Sequence, residues 1–415
     1  MTSRRQWAAL SLATFARFAG AILMGTALAV VVEARASAFA AGVVGTAYYA
    51  GLMLFSPFWG ALADITGKRR LVLLVTGIGG VLAVLPLVVA DTVAVAVGSR
   101  GVYAAFLAGF APVALAIASH HGGTTGRGRS IGIFNSARSG GFALGYVVSG
   151  ALLEYVTPVD IYWAIAAVTF LSTVAVLAVS DPTPTPERQP TAKEVVAETR
   201  RRLFPAPDER GHLTTNGLLW LYAAVALRNL AVLGIMAIVA PYLITVVGVT
   251  QVLMGVLLAF NHGSQVLFMY ALGVVADNVG RKPLVVVGMG GSSVFALMAA
   301  GLTAVPAGVL RLAFGVATFV VLGASFSAMT IGGLAFISDV APATRESELM
   351  GIRETAKGLG GVFGPALVGG VATLYSYELA FVAASLVGFL ATALVAWGLV
   401  ETYDAERRAV VVVDD

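Results

Sequence analysis

The sequence predicts an all-α membrane protein of twelve transmembrane helices in two pseudo-symmetric six-helix bundles. Three observations carry this. Of the 415 residues, 58% are hydrophobic and only 12% charged, whereas a soluble domain runs at roughly 45–50% apolar and about 25% charged. The apolar residues gather into runs near the 20 or so residues that a membrane helix needs. The basic residues between the runs fall almost entirely in every second loop, on one side.

The runs cover about 7–32, 38–63, 71–90, 93–118, 129–153, 160–180, 217–244, 252–275, 284–304, 308–337, 349–374 and 378–400. The first is too long for the core of a signal peptide and has no clear cleavage site, so it reads as the first span. With the N-terminus inside, the inner segments hold 18 basic residues, among them Arg4, Arg5, Lys68, Arg69, Arg70, Arg127, Arg200, Arg281, Lys282 and Arg407. The outer loops hold only Arg35. This asymmetry orients the chain as a multi-pass protein of the cell membrane with both termini cytoplasmic. The polar stretch 181–216 opens with Pro182, Pro184, Pro186 and Pro190 and turns helical in character over Thr191–Phe204. It predicts a cytoplasmic linker with a short surface helix, between an N-terminal bundle at 1–180 and a C-terminal bundle with a short tail at 217–415.

The two halves repeat each other. Gly60, Asp64, Gly67, Lys68 and Arg69 stand 213 residues before Gly273, Asp277, Gly280, Arg281 and Lys282. Arg17 and Arg100 precede Arg228 and Arg311 by 211. Gly132, Gly141, Gly145 and Gly150 precede Gly351, Gly360, Gly364 and Gly369 by 219. An ordered series through four helices of each half indicates a duplicated bundle, an architecture that transporters use to rock around a central site.

The doubled loop, Gly-x-x-x-Asp-x-x-Gly-basic-basic between spans 2 and 3 and again between spans 8 and 9, resembles the signature of the major facilitator superfamily. The resemblance covers essentially the whole chain and implies that superfamily's fold and secondary transport. Two departures stand out. The glycine–proline motif that antiporters carry on span 5 is matched only on span 11, by Gly364 and Pro365, whereas span 5 has Gly145 and Tyr146. The span 4 arginine motif is matched only in Arg100.

The loop motif has its own physical sense. Asp64 and Asp277 end helices whose dipoles disfavour a carboxylate there, so each needs compensation from a neighbouring helix N-terminus or a cation. Arg353, in the first turns of span 11, is the expected partner of Asp64 in a cross-half gate; the start of span 5 is expected to serve Asp277. Gly60 and Gly273 allow close helix approach, and Gly67 and Gly280 suit a tight turn. The resemblance implies a gating role for the whole set.

Charges within the spans call for a reason, because each is costly in the bilayer. Arg17 and Arg228 fall near mid-depth on the equivalent spans 1 and 7, with Asn229 adjoining; Arg138 and Lys357 lie on spans 5 and 11. Asn261, His262 and Gln265 cluster midway along span 8, and Tyr48 and Tyr49 lie midway along span 2, its equivalent in the first half. These ten residues are the candidate solute site. Arg17 and Arg228 match in position the anion-binding arginine pair of the superfamily's organophosphate exchangers; an alternative is that they bond helix carbonyls and hold the two halves together. Glu354, beside Arg353 and three residues before Lys357, is the one embedded carboxylate and with His262 is a candidate for proton coupling.

No carboxylate stands at mid-depth in spans 1, 4, 7 or 10, so the cavity is expected to be net positive. The favoured reading is a secondary active transporter of a small organic or inorganic anion, working by alternating access. The alternative is proton-coupled efflux of drugs or lipophilic compounds. With no cysteine, no metal cluster, no nucleophile–base set and no phosphate-binding loop, neither an enzyme nor a cofactor or metal is expected. Expected partners are the solute, the lipid bilayer and protons or a counter-transported ion, with no nucleic acid; a single chain is expected to suffice. In this cysteine-free background, single cysteines at Thr2, Thr191 and Asp414 are predicted to resist impermeant thiol reagents in right-side-out vesicles. Ready labelling of all three would overturn the topology.

Overall fold

The computed structural model describes residues 4–90, 92–181, 191–203, 215–341 and 346–402; within its helices the side chains at 122–128, 203, 274, 276–278 and 346–348 lie outside the description. The described chain is helical from end to end. The N-terminal half holds α1 (Arg4–Arg35), α2 (Ala38–Thr66), α3 (Arg69–Val84), α4 (Pro86–Val89), α5 (Val93–Tyr155) and α6 (Pro158–Val176). The linker contributes α7 (Ala192–Leu203). The C-terminal half holds α8 (Leu218–Thr245), α9 (Gln251–Val279), α10 (Arg281–Ala300), α11 (Val309–Val340), α12 (Glu346–Leu374) and α13 (Tyr377–Gly398). Among the described residues, 11 helices are long and apolar enough to cross a membrane.

The sequence gives twelve runs, and the difference lies in α5. Its 63 residues would extend about 95 Å if straight. Yet Arg100 Nη1 donates to the Ala21 carbonyl at 2.9 Å, and a Cβ on Gly145 would stand 2.9 Å from the Ala19 carbonyl oxygen. Positions 45 apart, about 68 Å on a straight helix, therefore touch the same turn of α1. The element doubles back, and its second leg is the run expected at 129–153. Arg129, Asn135, Arg138 and several glycines dilute that leg, which is why it falls below the hydropathy of the other eleven.

The glycine repeats become backbone contacts in register. A Cβ on Gly141 would meet the Phe15 carbonyl oxygen of α1 at 2.4 Å, and one on Gly360 would meet the Ala226 carbonyl oxygen of α8 at 2.4 Å. Gly145 and Gly364 repeat this one turn on, against the Ala19 and Leu230 carbonyls. Gly150 and Gly369 then face the other bundle, against the Gln251 carbonyl of α9 at 2.3 Å and the Ala38 carbonyl of α2 at 2.5 Å. The second leg of α5 is thus wedged between α1 and α9, and α12 between α8 and α2, by the same device used twice.

Two faces follow. The basic face carries Arg5, Lys68, Arg69, Arg70, Arg281 and Lys282; the far face carries Arg35. In the far half the bundles are sealed. The Pro365 carbonyl lies 2.2 Å from where a Gly42 Cβ would be. Thr46 Oγ1 donates to the Val362 carbonyl, and Phe39 N–H to Thr373 Oγ1, each at 2.8 Å. Tyr377 donates to Glu33 at 2.9 Å, and the first N–H of α9, at Gln251, donates to Glu154 at 2.8 Å. Toward the basic face Leu54 and Phe55 on α2 and Leu267 and Tyr270 on α9 are exposed, and the Glu354 and Lys357 side chains on α12 remain 57% and 41% exposed. Because Gly42 abuts backbone that cannot yield, Gly42→Val is predicted to disfavour this sealed state by about 1–3 kcal/mol. Labelling of a cysteine at Ala366 should then rise at least severalfold; unchanged labelling would mean the seal does not depend on that contact.

Candidate functional site

The mid-depth arginines prove to be core residues of their own bundles. Arg17 is fully buried; its Nη2 donates to the Thr76 carbonyl of α3 at 2.9 Å, and its guanidinium lies 5.2 Å from the Tyr103 ring and 5.9 Å from the Phe110 ring. Arg228 is equally buried, donates to Ser292 Oγ of α10 at 3.0 Å and lies 5.8 Å from the Phe326 ring. Asn229 donates to the Val225 carbonyl one turn back. Neither guanidinium is fully satisfied: Arg17 Nε and Nη1 and Arg228 Nη2 are buried without a hydrogen-bond partner among the described residues, and Arg17 lies within electrostatic reach of Tyr48, as Arg228 does of Arg353. Gly80 leaves room for the Arg17 guanidinium against α3, with a Cβ position only 2.4 Å from Nη1. Aromatic rings take the place of a counter-ion.

Other members of the expected set do meet at the seam. His262 of α9 is wedged against Phe142 at 4.7 Å and Tyr146 at 5.8 Å, both from the second leg of α5. Its Nδ1 is buried with no hydrogen-bond partner among the described residues, as is Nε of Arg138, four residues before Phe142. Gln265 donates to Asn261 Oδ1 at 3.0 Å, so this pair braces α9 beneath His262. On the α2 side Tyr49 packs on Gly361 of α12, and Tyr48 lies 4.0 Å beneath the guanidinium of Arg100. Glu354 joins Arg353 at 2.8 Å and Lys357 at 3.3 Å. Arg138 lies within electrostatic reach of Glu354 across the seam. A separate groove of about 740 Å³ runs between α1 and the second leg past Ser11, Phe15, Arg129 and Ser136; none of the seam residues lines it. Among the described residues no group of His, Asp and Glu is placed to hold a metal ion.

Sequence reasoning left Phe142, Tyr146 and Arg100 out of the site. Arg100 carried a usable signal, since it repeats as Arg311, but Arg311 instead binds the Val305 and Val247 carbonyls at the far face.

The gating residues divide. Gly67 ends α2 at φ +63°, and Gly280 sits at φ +98° between α9 and α10, so both turns need glycine. Asp64 does not meet Arg353. It pairs with Arg69 of its own loop at 3.5 Å and with Arg202 of α7 at 3.1 Å, while Arg353 is buried against Glu354. Together with Arg69, the linker helix supplies the cation. Lys68 is exposed at the N-cap of α3. Arg281 pairs with Asp339 at 2.9 Å, and the Arg281 and Lys282 backbone N–H groups donate to Glu401 at 3.0 Å. A Cβ on Gly273 would meet nothing within 4 Å, and the side chain of Asp277 lies outside the described residues.

Comparison with known proteins agrees with this architecture. The family model of the Major Facilitator Superfamily matches residues 10–305 and again 235–411. No curated protein sequence matches the chain. A variant of the nucleoside transporter NupG superposes with a TM-score of 0.77 at 13% identity, covering 94% of this chain and 99% of that one. A bacterial homologue of the human lysosomal transporter Spinster, inward-facing and occupied, gives 0.75 at 14%, covering 96% and 97%. A variant of the peptide transporter POT in complex with sulfate gives 0.74 at 14%, covering 96% of each chain. The chain belongs to the major facilitator superfamily: it is a multi-pass membrane protein and a secondary transporter of small solutes.

If Arg17 is a core residue, Arg17→Ala should cost about 2–5 kcal/mol of stability, as other large-to-small core changes do, and leave solute affinity unchanged in the protein that remains folded. A lost affinity at an unchanged melting temperature would return Arg17 to the solute site.

Proposed function

We propose that this transporter carries a small organic anion by alternating access, binding it at the seam between the second leg of α5, α9, α12 and α2. The observation that carries the reading is the unpartnered, buried Nε of Arg138 at the seam, with Lys357 and Arg353 on α12 and, among the described residues, Glu354 alone as counter-charge. A site for neutral solutes would gain nothing from so costly an excess of cations, whereas a carboxylate or phosphate oxygen can complete the hydrogen bonding of a guanidinium. Tyr48, Tyr49 and Tyr146 add apolar surface with polar tips, which suits an organic body behind the anionic head. The halves 1–180 and 217–415 rock about the linker 181–216, with the basic face cytoplasmic, and one chain makes the whole path. His262 is the proton-coupling group, because it touches α5 from α9 and a change in its charge alters the contact that each turn of the cycle breaks and remakes; Glu354 is already engaged by Arg353 and Lys357.

The test is thermal stabilisation of the purified protein across carboxylates, phosphate esters, nucleosides, sugars and lipophilic cations, because a ligand of the folded state raises its apparent stability. Stabilisation by anions that Arg138→Gln and Lys357→Gln each reduce at least tenfold in affinity is expected. Stabilisation by lipophilic cations alone, undiminished in both variants, would favour efflux of lipophilic compounds instead.

A further inference from the structure

The linker helix does more than join the bundles. Its start is fixed by Thr191, whose N–H donates to Glu194 at 2.7 Å while Glu194 N–H donates back to Thr191 Oγ1 at 3.4 Å. Val195 is buried. At its end, Glu198 accepts from Arg201 Nε and Nη2 at 2.8 and 2.7 Å and from Arg202 Nε at 3.0 Å. Those bonds hold the Glu198 carboxyl down at about 2, so the cluster stays charged until the pH falls well below the ordinary carboxylate range. Held from behind in this way, Arg202 directs Nη2 onto Asp64 Oδ2 at 3.1 Å.

We propose that Arg202 is a gating residue that latches Asp64 to the linker helix while the basic face is open and must release it before that face can close. The proposal rests on the alternating-access reading. Asp64 has two oxygens, and both are occupied: Oδ1 by Arg69 and Oδ2 by Arg202. Closing the basic face brings the start of α12 to the end of α2, where Arg353 can take Asp64 only by displacing Arg202. Gly60 is part of the device. One turn before Asp64, it leaves the space that the guanidinium fills, since a Cβ there would stand 3.1 Å from Arg202 Nη1. The repeat of this position in the other half, Gly273, has nothing within 4 Å of its Cβ position. Among the described residues the latch is thus found in one half, and there it biases the two end states unequally, which a symmetric pair of gates would not do.

The experiment places spin labels on cysteines at Leu71, in the first turn of α3, and Val279, at the end of α9, both exposed on the basic face. It reads the ratio of long to short distances in the full-length protein in nanodiscs. An exposed ion pair contributes little, so Arg202→Ala is expected to raise the short, closed population about two- to fivefold. Arg202→Lys should restore most of the original ratio. Arg201→Ala, which removes a partner of Glu198 but not of Asp64, should leave it unchanged. In an Asp64→Asn background, Arg202→Ala should have no further effect. The latch is overturned if two populations exist and Arg202→Ala does not shift them, if Arg201→Ala shifts them as much, or if the Arg202→Ala shift persists with Asn at position 64. A single population in every variant would remove the alternating-access reading, and the latch with it.

Discussion

Everything in this protein depends on two helices being allowed to touch their neighbours backbone to backbone. The second leg of α5 and α12 each carry glycines on two sides, one set against a helix of their own bundle and one against the other bundle. Apolar side chains gain little by meeting each other in a bilayer whose lipid tails are just as apolar, so close van der Waals approach and hydrogen bonding must supply the association. The contact is strong where the helices cross in the far half and gives out toward the basic face. A seam of that kind can serve as the pivot that the proposed transport cycle requires.

The placement of charge follows from the same geometry. Arginines that pack inside a bundle, Arg17 and Arg228, bond to helix oxygens or a serine and lie near aromatic rings, and they serve as cross-braces between the first and third helices of each half. Those that reach the seam or the edge of the basic face, Arg138, Arg353 and Lys357, share one carboxylate among the described residues, Glu354. Depth in the membrane is alike for the two groups; the side of the helix on which each residue falls decides which neighbours it meets.

That distinction explains what could be read from sequence. Span number, the doubled bundle, the motif glycines and even the pairing of Gly141 with Gly360 were legible, because they depend on periodicity and on repeats that survive in the residues themselves. The role of Arg17 was not, because depth along a helix is one coordinate and azimuth is another. Azimuth was set by Gly80, Tyr103 and Phe110, on helices whose rotation the sequence does not state. The Asp64 contact was missed for a different reason. The cation comes from Arg202, in a polar stretch with only a weak helical pattern. His262 was legible as a polar residue at mid-depth, but its contact with Phe142 and Tyr146 required knowing that α5 and α9 cross.

The central claim is that sealing the far half and opening the basic half are one rigid rotation about the glycine-lined seam. Distances on both faces, recorded under the same conditions, test it most directly: one label pair at Val89 and Val309 on the far face, another at Leu71 and Val279 on the basic face, all exposed sites in a chain without native cysteine. Across changes of pH and solute, every condition that shortens the basic-face distance should lengthen the far-face distance in proportion. Two distances that change independently, or that lengthen together, would contradict the account.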